Sequence, residues 1–180
     1  MLESLRDAEL VERARRGEAE AYGELYRRYF DPIFRYLRTR VADEGDAEDL
    51  AATVFLRAYQ SLGRYRERGW PFSAFLYQIA RHALVDHYRR PRDEADLAEA
   101  ERIGSGERIE DDVGRRETVA RIRKALAGLT PDYQEVIRLR LLLDLPTETA
   151  AQWMGRSEGA LRVLLYRALE ALRKRLGEGR

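Results

Sequence analysis

The stretch that decides the fold is Thr147-Glu148-Thr149-Ala150-Ala151-Gln152-Trp153-Met154-Gly155-Arg156-Ser157-Glu158-Gly159-Ala160-Leu161-Arg162-Val163-Leu164-Leu165-Tyr166-Arg167-Ala168-Leu169. Its apolar residues recur at helical spacing on either side of Gly155. A short helix over 147–154 therefore meets a tight reversal, and a longer helix starts with Ser157 as N-cap. Gly155 suits that reversal because the chain must pass through positive φ, where a Cβ is unwelcome. Ala151 sits where two helices must approach closely. Trp153, Leu161, Leu164 or Leu165, and Leu169 form a small core. Arg156, Glu158, Gly159, Arg162, Val163, Tyr166 and Arg167 are left on the outer face of the second helix. This is helix-turn-helix spacing. In such a motif the N-terminal part of the second helix enters the major groove and flanking residues hold phosphates, with Arg162 and Arg167 the natural ligands. A hairpin that packs on the rest of the chain, its arginines merely solvated, has the same spacing.

Upstream, Thr130-Pro131 reads as an N-cap followed by a first-turn proline. It opens a helix through Tyr133, Val136, Ile137 and Leu141, preceded by another marked by Val119, Ile122, Leu126 and Leu129. The N-terminal part is also helical. One helix has Asp7 as N-cap and Gly17 as its stop. A second runs over about 18–40, with a kink or restart expected at Asp31-Pro32. A third opens in Asp46-Ala47-Glu48-Asp49, and a fourth runs over about 72–90 and ends at Pro91. Between the blocks the composition shifts to acidic clusters and Gly104-Ser105-Gly106, which reads as a flexible linker with a frayed helix over 94–102. No alternating strand pattern stands out. The expected fold is all-α, with two small helical domains joined by a flexible linker: 1–92, an acidic tether 93–116, and 117–180.

The charge follows the same division. The 180 residues carry 33 basic and 32 acidic side chains, and a net charge of +1 would argue against a nucleic-acid partner if it were evenly spread. It is not: residues 1–92 hold 17 basic and 15 acidic groups, 93–117 hold 4 and 10, and 118–180 hold 12 and 7. Two basic blocks flank an acidic one. Nearly all the basicity is arginine, which suits bidentate phosphate and base-edge contacts, although a GC-rich genome would favour arginine equally. Cysteine is absent, which excludes a disulfide framework, a thiolate zinc site and a cysteine nucleophile. The charged opening is unlike a secretory signal, and no apolar run approaches a membrane span. These features lead us to expect a soluble, cytoplasmic protein.

Eight of the 17 aromatic residues fall between 55 and 88, interleaved with Arg64, Arg66, Arg68, Arg81, Arg89, Arg90 and Arg92. Aromatic faces stack on unpaired bases while arginines track phosphates, so this composition suits single-stranded nucleic acid. Phe55, Phe72 and Phe75 follow core spacing. Tyr65 and Trp70 lie in a loop with no evident helical face to bury them and are the better contact candidates. Enzyme motifs are missing. His82 and His87 lie about 140° apart round a helix, which is no metal pair. No phosphate-cradling glycine loop or nucleophile elbow occurs. No cofactor, metal or small-molecule substrate is expected.

In order and spacing these segments resemble the extracytoplasmic-function (ECF) sigma factors of bacterial RNA polymerase, in the form that has only regions 2 and 4. Asp46-Ala47-Glu48-Asp49-Leu50 with Phe55-Leu56-Arg57-Ala58-Tyr59 is similar to the family's DAEDLVQETFLRAY segment. Residues 75–90, Phe75-Leu76-Tyr77-Gln78-Ile79-Ala80-Arg81-His82 through His87-Tyr88-Arg89-Arg90, resemble WLYRIARNLALDHYRR. Leu129-Thr130-Pro131 opens the region 4 helices, and residues 159–168 resemble the GTVKSRLHRA recognition helix. The resemblance covers about 1–91 and 117–176.

The resemblance implies a promoter-specificity subunit that works with core polymerase, docking on the β′ clamp helices and the β flap. Asp46, Glu48, Asp49, Thr53, Leu56 and Arg57 would contact the polymerase. Tyr65, Arg66, Arg68, Trp70, Phe72, Tyr77, Arg81, His82, Arg89 and Arg90 would bind the −10 element and help melt it, with 65–72 forming a pocket for a flipped base. Arg140 would hold backbone at the −35 element, together with Arg156, Ser157, Glu158, Gly159, Arg162, Val163, Tyr166 and Arg167 of the helix-turn-helix. The acidic linker would thread the basic channels of the polymerase, and an anti-sigma factor is a further implied partner. The chain departs from the family at Ala52-Thr53-Val54, where Gln-Glu-Thr is usual. It also departs at Phe75, at His82, and at Val163-Leu164, where Ser-Arg is common. The rival reading is a helix-turn-helix regulator with residues 1–90 as a sensor or dimerisation domain.

Overall fold

The computed structural model describes residues 2–65, 70–89 and 113–177, and among these every regular element is helical. The expected linker up to 112, its helix over 94–102, and Arg66, Arg68 and Arg90 lie outside the described residues. The chain divides into two units, Met1–Gly106 and Glu107–Arg180. No described helix is long and apolar enough to cross a membrane.

In the first unit a short 3₁₀ turn (Leu2–Ser4) precedes α1 (Asp7–Arg15), α2 (Ala19–Arg38), α3 (Glu44–Ser61) and α4 (Phe72–Arg89). α1 packs on α2, α2 on α3 and α4, and α3 on α4. The core joins Leu10 and Val11 to Leu25, Ile33, Tyr36 and Leu37, and to Val54, Phe55, Phe72, Leu76, Tyr77 and Leu84, all buried. The N-cap of α1 is Arg6, not the expected Asp7, and the backbone N–H of Arg6 donates to Glu9 Oε2 at 3.0 Å. Asp7 instead accepts from Arg28 at 2.9 Å and from the Tyr29 hydroxyl. α2 neither restarts nor breaks at Pro32. Leu25 before the proline and Ile33 and Leu37 after it lie fully buried, and their packing outweighs the one missing backbone hydrogen bond. α3 opens two residues earlier than expected, because the Asp43 carboxylate caps it by accepting from Asp46 N–H at 3.2 Å.

Two arginines fasten the beginning of the chain. Arg28 donates to the carbonyls of Leu5 and Glu3, both at 2.8 Å, as well as to Asp7 and Glu24. Arg15, at the end of α1, donates from Nε to the Leu62 carbonyl at 2.9 Å and from Nη2 to the Tyr65 carbonyl. Glu24 is buried, and the hydrogen bond from Arg27, helped by Arg28, holds its carboxyl below the usual carboxylate range. Burial pushes the Tyr22 and Tyr29 phenols well up.

The second unit contains α5 (Val113–Ala127), α6 (Pro131–Ile137), a π-helical turn (Arg138–Leu142), α7 (Thr147–Met154) and α8 (Glu158–Gly177). α8 is the hub, against which α5, α6 and α7 all pack. α5 begins four residues before 117, so the helix takes in the last part of the expected linker; Arg115, Arg116 and Glu117 are good helix formers. The helix expected to run unbroken to Leu141 widens after Ile137, where Leu143 N–H reaches back five residues to the Arg138 carbonyl at 3.0 Å. That wider turn shifts the phase. Leu139 and Leu143 turn inward, while Leu141 and Leu142 are 54% and 60% exposed. Leu141, expected in an apolar stripe, therefore faces solvent.

Candidate nucleic-acid interface

The reversal between α7 and α8 is built as its residue types require. Gly155 closes α7 at φ 65°, ψ 39°, in the left-handed region. The Ser157 hydroxyl accepts from Ala160 N–H at 3.2 Å and so caps α8. Trp153, Ala151, Leu161 and Ala168 are buried between the helices, whereas Leu164, Leu165 and Leu169 are only half-buried. The residues left outside are those expected there: Arg156, Ser157, Glu158, Gly159, Arg162, Val163, Tyr166 and Arg167 are all exposed. Val163 is 50% and Tyr166 66% exposed, in a helix with ample apolar surface on its other side. Arg162 is drawn along the face by Glu158 at 2.7 Å, and Arg156 is paired with Asp132 of α6. Both pairs are open to solvent, so releasing either arginine to a phosphate or a base costs about 1 kcal/mol or less. Nothing approaches the position a Gly159 Cβ would take, so packing does not account for that glycine. Its bare backbone leaves room for a close partner. Arg140 is half-buried and donates to the Leu145 carbonyl, closing the turn between the π-helical segment and α7.

In the first unit the expected contact residues separate into two groups. Trp70 is exposed, and Arg81, His82 and Arg89 form an exposed ridge on α4 that also carries Val85. Tyr65, Phe72 and Tyr77 do not belong with them. Tyr65 is 7% exposed, its ring set against Phe72 and Phe75, and Phe72 and Tyr77 are fully buried. The expectation of direct contact is corrected for all three, because a ring already packed on neighbouring rings has no face left for a base. Tyr65 acts one step back, its hydroxyl donating to the Trp70 carbonyl at 2.9 Å. The Arg81 guanidinium lies 6.0 Å from the Tyr77 ring centroid.

On α3, Glu48, Asp49, Leu56 and Tyr59 are exposed. Asp49 and Leu56, seven residues apart, share one face. Thr53 is half-buried on that side, and Asp46 lies 3.5 Å from His87 Nε2. Arg57 pairs with Asp86 of α4 at 2.8 Å, an exposed pair that links the two helices. Four exposed apolar side chains were given no contact role by the sequence reading. Tyr26, set against Phe55, and Tyr59, set against Tyr22, are exposed on the α2–α3 side, and Leu141 and Leu142 form an apolar knob. Tyr26 looked like core because it falls on the apolar stripe of α2, and Tyr59 was counted only in the aromatic block over 55–88. The leucines were hidden because periodicity assumes 3.6 residues per turn.

Comparison with known proteins agrees in both halves. The family Sigma-70 region 2 matches residues 25–94, and Sigma-70, region 4 matches residues 120–172. The ECF RNA polymerase sigma factor BldN of Streptomyces coelicolor is 38% identical over 177 residues, covering 97% of this chain and 67% of the relative. ShbA of Streptomyces griseus, also an ECF RNA polymerase sigma factor, is 34% identical over 175 residues, covering 91% and 92%. The solved structure of CnrH in complex with the cytosolic domain of CnrY has a similar fold, with a TM-score of 0.63 at 24% identity over 96% of this chain and 97% of that one.

Proposed function

The chain belongs to the ECF sigma factors, which direct RNA polymerase to promoters and open the duplex there, and from that premise we propose a division of labour among its residues. Residues 117–180 read the −35 element through the outer face of α8, with Arg162 and Arg167 on base edges or phosphates, Val163 and Tyr166 between them, and Gly159 at the closest backbone approach. Arg156, Ser157 and Glu158 flank the groove entry, and Arg140 holds the preceding turn in place. Residues 1–92 dock on core polymerase through Glu48, Asp49, Thr53 and Leu56, and bind the −10 element through Trp70, Arg81, His82 and Arg89. Tyr65, Phe72 and Tyr77 act as the packed support of that surface. Residues 93–116, with their acidic excess, pass between the two sites.

The observation that carries this reading is the outer face of α8: a glycine that packing does not require, exposed Val163 and Tyr166, and two exposed arginines, all beyond a turn closed by Gly155. The match of the first half to Sigma-70 region 2 favours a sigma factor over a stand-alone regulator with a sensor domain. Leu141 and Leu142 present an apolar knob suited to the polymerase β flap. The protein makes and breaks no bonds itself and works in the cytoplasm, where its polymerase is. An anti-sigma factor is a further proposed partner, in keeping with the CnrH structure, which was solved bound to the cytosolic domain of another protein.

Transcription reconstituted with core polymerase on a promoter library tests the reading. Transcripts that depend on both promoter elements are expected. Tight operator binding without polymerase, together with no promoter-dependent transcripts, overturns it.

A further inference from the structure

The outward stripe of α8 does not stop where the expected DNA contacts stop. Positions seven apart lie within about 20° of one another on a helix, so Arg173 falls below Tyr166, and Lys174 below Arg167. Both are exposed. The match to region 4 ends at residue 172, so this basic pair follows the matched segment directly. From 171 to 177 the chain is Ala-Leu-Arg-Lys-Arg-Leu-Gly, with no acidic residue. The third basic residue, Arg175, is turned the other way, with its guanidinium against Gly128 at the α5–α6 junction. Arg121 reaches the Leu176 carbonyl at 3.5 Å, so α5 supplies part of the closure of the helix end.

The spacing gives the pair a task. From Arg162 to Arg173 the helix advances about 16 Å, against a major groove about 12 Å wide. Both arginines lean toward the helix N-terminus, Arg162 to Glu158 and Arg173 to Glu170, so their charges stay about 16 Å apart and the later pair lies past the base edges. With Arg162 over base edges, the charges at 173 and 174 come to the sugar-phosphate rail at the groove edge. We propose that Arg173 and Lys174 form a second, sequence-independent contact of the recognition helix with the DNA backbone. The proposal rests on α8 being the −35 reader. Glu170, on the same stripe and 2.8 Å from Arg173, points a carboxylate toward the same rail and tempers the contact.

Counterion release separates this from a purely helix-stabilising role for basic residues in a last turn, which would leave the salt dependence of DNA binding alone. Holoenzyme reconstituted with saturating sigma factor is bound to promoter duplexes between 50 and 200 mM salt. Losing two phosphate contacts in R173Q/K174Q lowers the slope of log K against log salt by about 1.8. Across that fourfold rise in salt, wild-type affinity therefore falls about twelvefold more than that of the variant. The ranking of −35 sequences stays unchanged. Glu170→Gln moves affinity the other way, tightening binding to every −35 sequence. An unaltered slope in R173Q/K174Q with an intact thermal transition overturns the proposal. Arg162→Ala in the same assay tests the premise separately: if it leaves the −35 ranking unchanged, the assignment of the reading face fails, whatever the slope does.

Discussion

Leu161 and Arg162 are neighbours in sequence with opposite surroundings. Leu161 is buried, and Arg162 stands in solvent with Glu158 at 2.7 Å. Truncating each to alanine is expected to separate stability from recognition. Leu161→Ala removes three carbons, worth about 0.8 kcal/mol each in transfer, and leaves a cavity in a small core, for a loss of about 3–4 kcal/mol. A unit the size of Glu107–Arg180 holds of order 4–10 kcal/mol in all, so the variant lies near the edge of folding. Its thermal transition drops by about 15–25 °C. Arg162→Ala gives up an exposed pair worth about 0.3–0.5 kcal/mol and gains helix propensity, so stability changes by less than about 0.5 kcal/mol. Its effect appears in DNA binding instead: about 1–3 kcal/mol, or roughly 5- to 150-fold, at the base pair Arg162 reads, with relaxed preference there. The assay is calorimetry on each protein together with holoenzyme binding to a set of −35 variants at 20 °C. Leu161→Ala should unfold early yet rank the −35 sequences as wild type does while folded. An altered ranking in Leu161→Ala, or an early transition in Arg162→Ala, would show that the phase assigned to α8 is wrong.

Gly155→Ala forces a Cβ into the left-handed region and should cost about 1–2 kcal/mol, read as a lower urea midpoint with an unchanged slope. Asp49→Arg reverses charge on the exposed face of α3 and should weaken capture of core polymerase, whereas Arg57→Ala, which loses only the exposed pair with Asp86, should change stability by about 1 kcal/mol or less and leave capture near wild type; equal capture by Asp49→Arg and wild type would remove Asp49 from the docking face. Glu24 titrates below the ordinary carboxylate range of about 4.3, so what its charge adds to stability is complete above that range and is lost as the pH falls through it and lower. Glu24→Gln should therefore flatten the acid limb of the stability profile of the first unit, and an identical limb in both proteins would contradict that account.

The helix-turn-helix was legible because its determinants are local: a glycine at the reversal, a serine three residues before the amide it caps, and a stripe on a regular 3.6-residue repeat. Which residues of α8 face outward followed from that repeat alone. The readings that failed depended on contacts remote in sequence. No restart occurs at Pro32: its cost is local, while the packing that outweighs it comes from Leu25, Ile33 and Leu37 against other helices. Tyr65 looked exposed because its own segment offers no helical face; its partners Phe72 and Phe75 arrive from α4. Leu141 was assigned to the wrong side because one wide turn shifts every residue after it. The Arg57–Asp86 pair was not legible either, because only the fold brings Asp86 within 2.8 Å of Arg57.

The grip of Arg15 on the Leu62 and Tyr65 carbonyls has a consequence for how the protein can be cut. The start of α1 lies far along the chain from α4, yet its last arginine satisfies backbone groups at the exit of α3, on the path that leads to Trp70. A chain begun after Gly17 would keep all of α2, α3 and α4 but leave those carbonyls to water, and would strip Arg28 of the Leu5 and Glu3 carbonyls and of Asp7, leaving it Glu24 alone. Amide exchange and protease cleavage in the α3–α4 connection should then quicken, although no residue of that connection has changed. For anyone trimming or fusing this protein, the first sixteen residues belong to the exit of α3 as much as to the N-terminus.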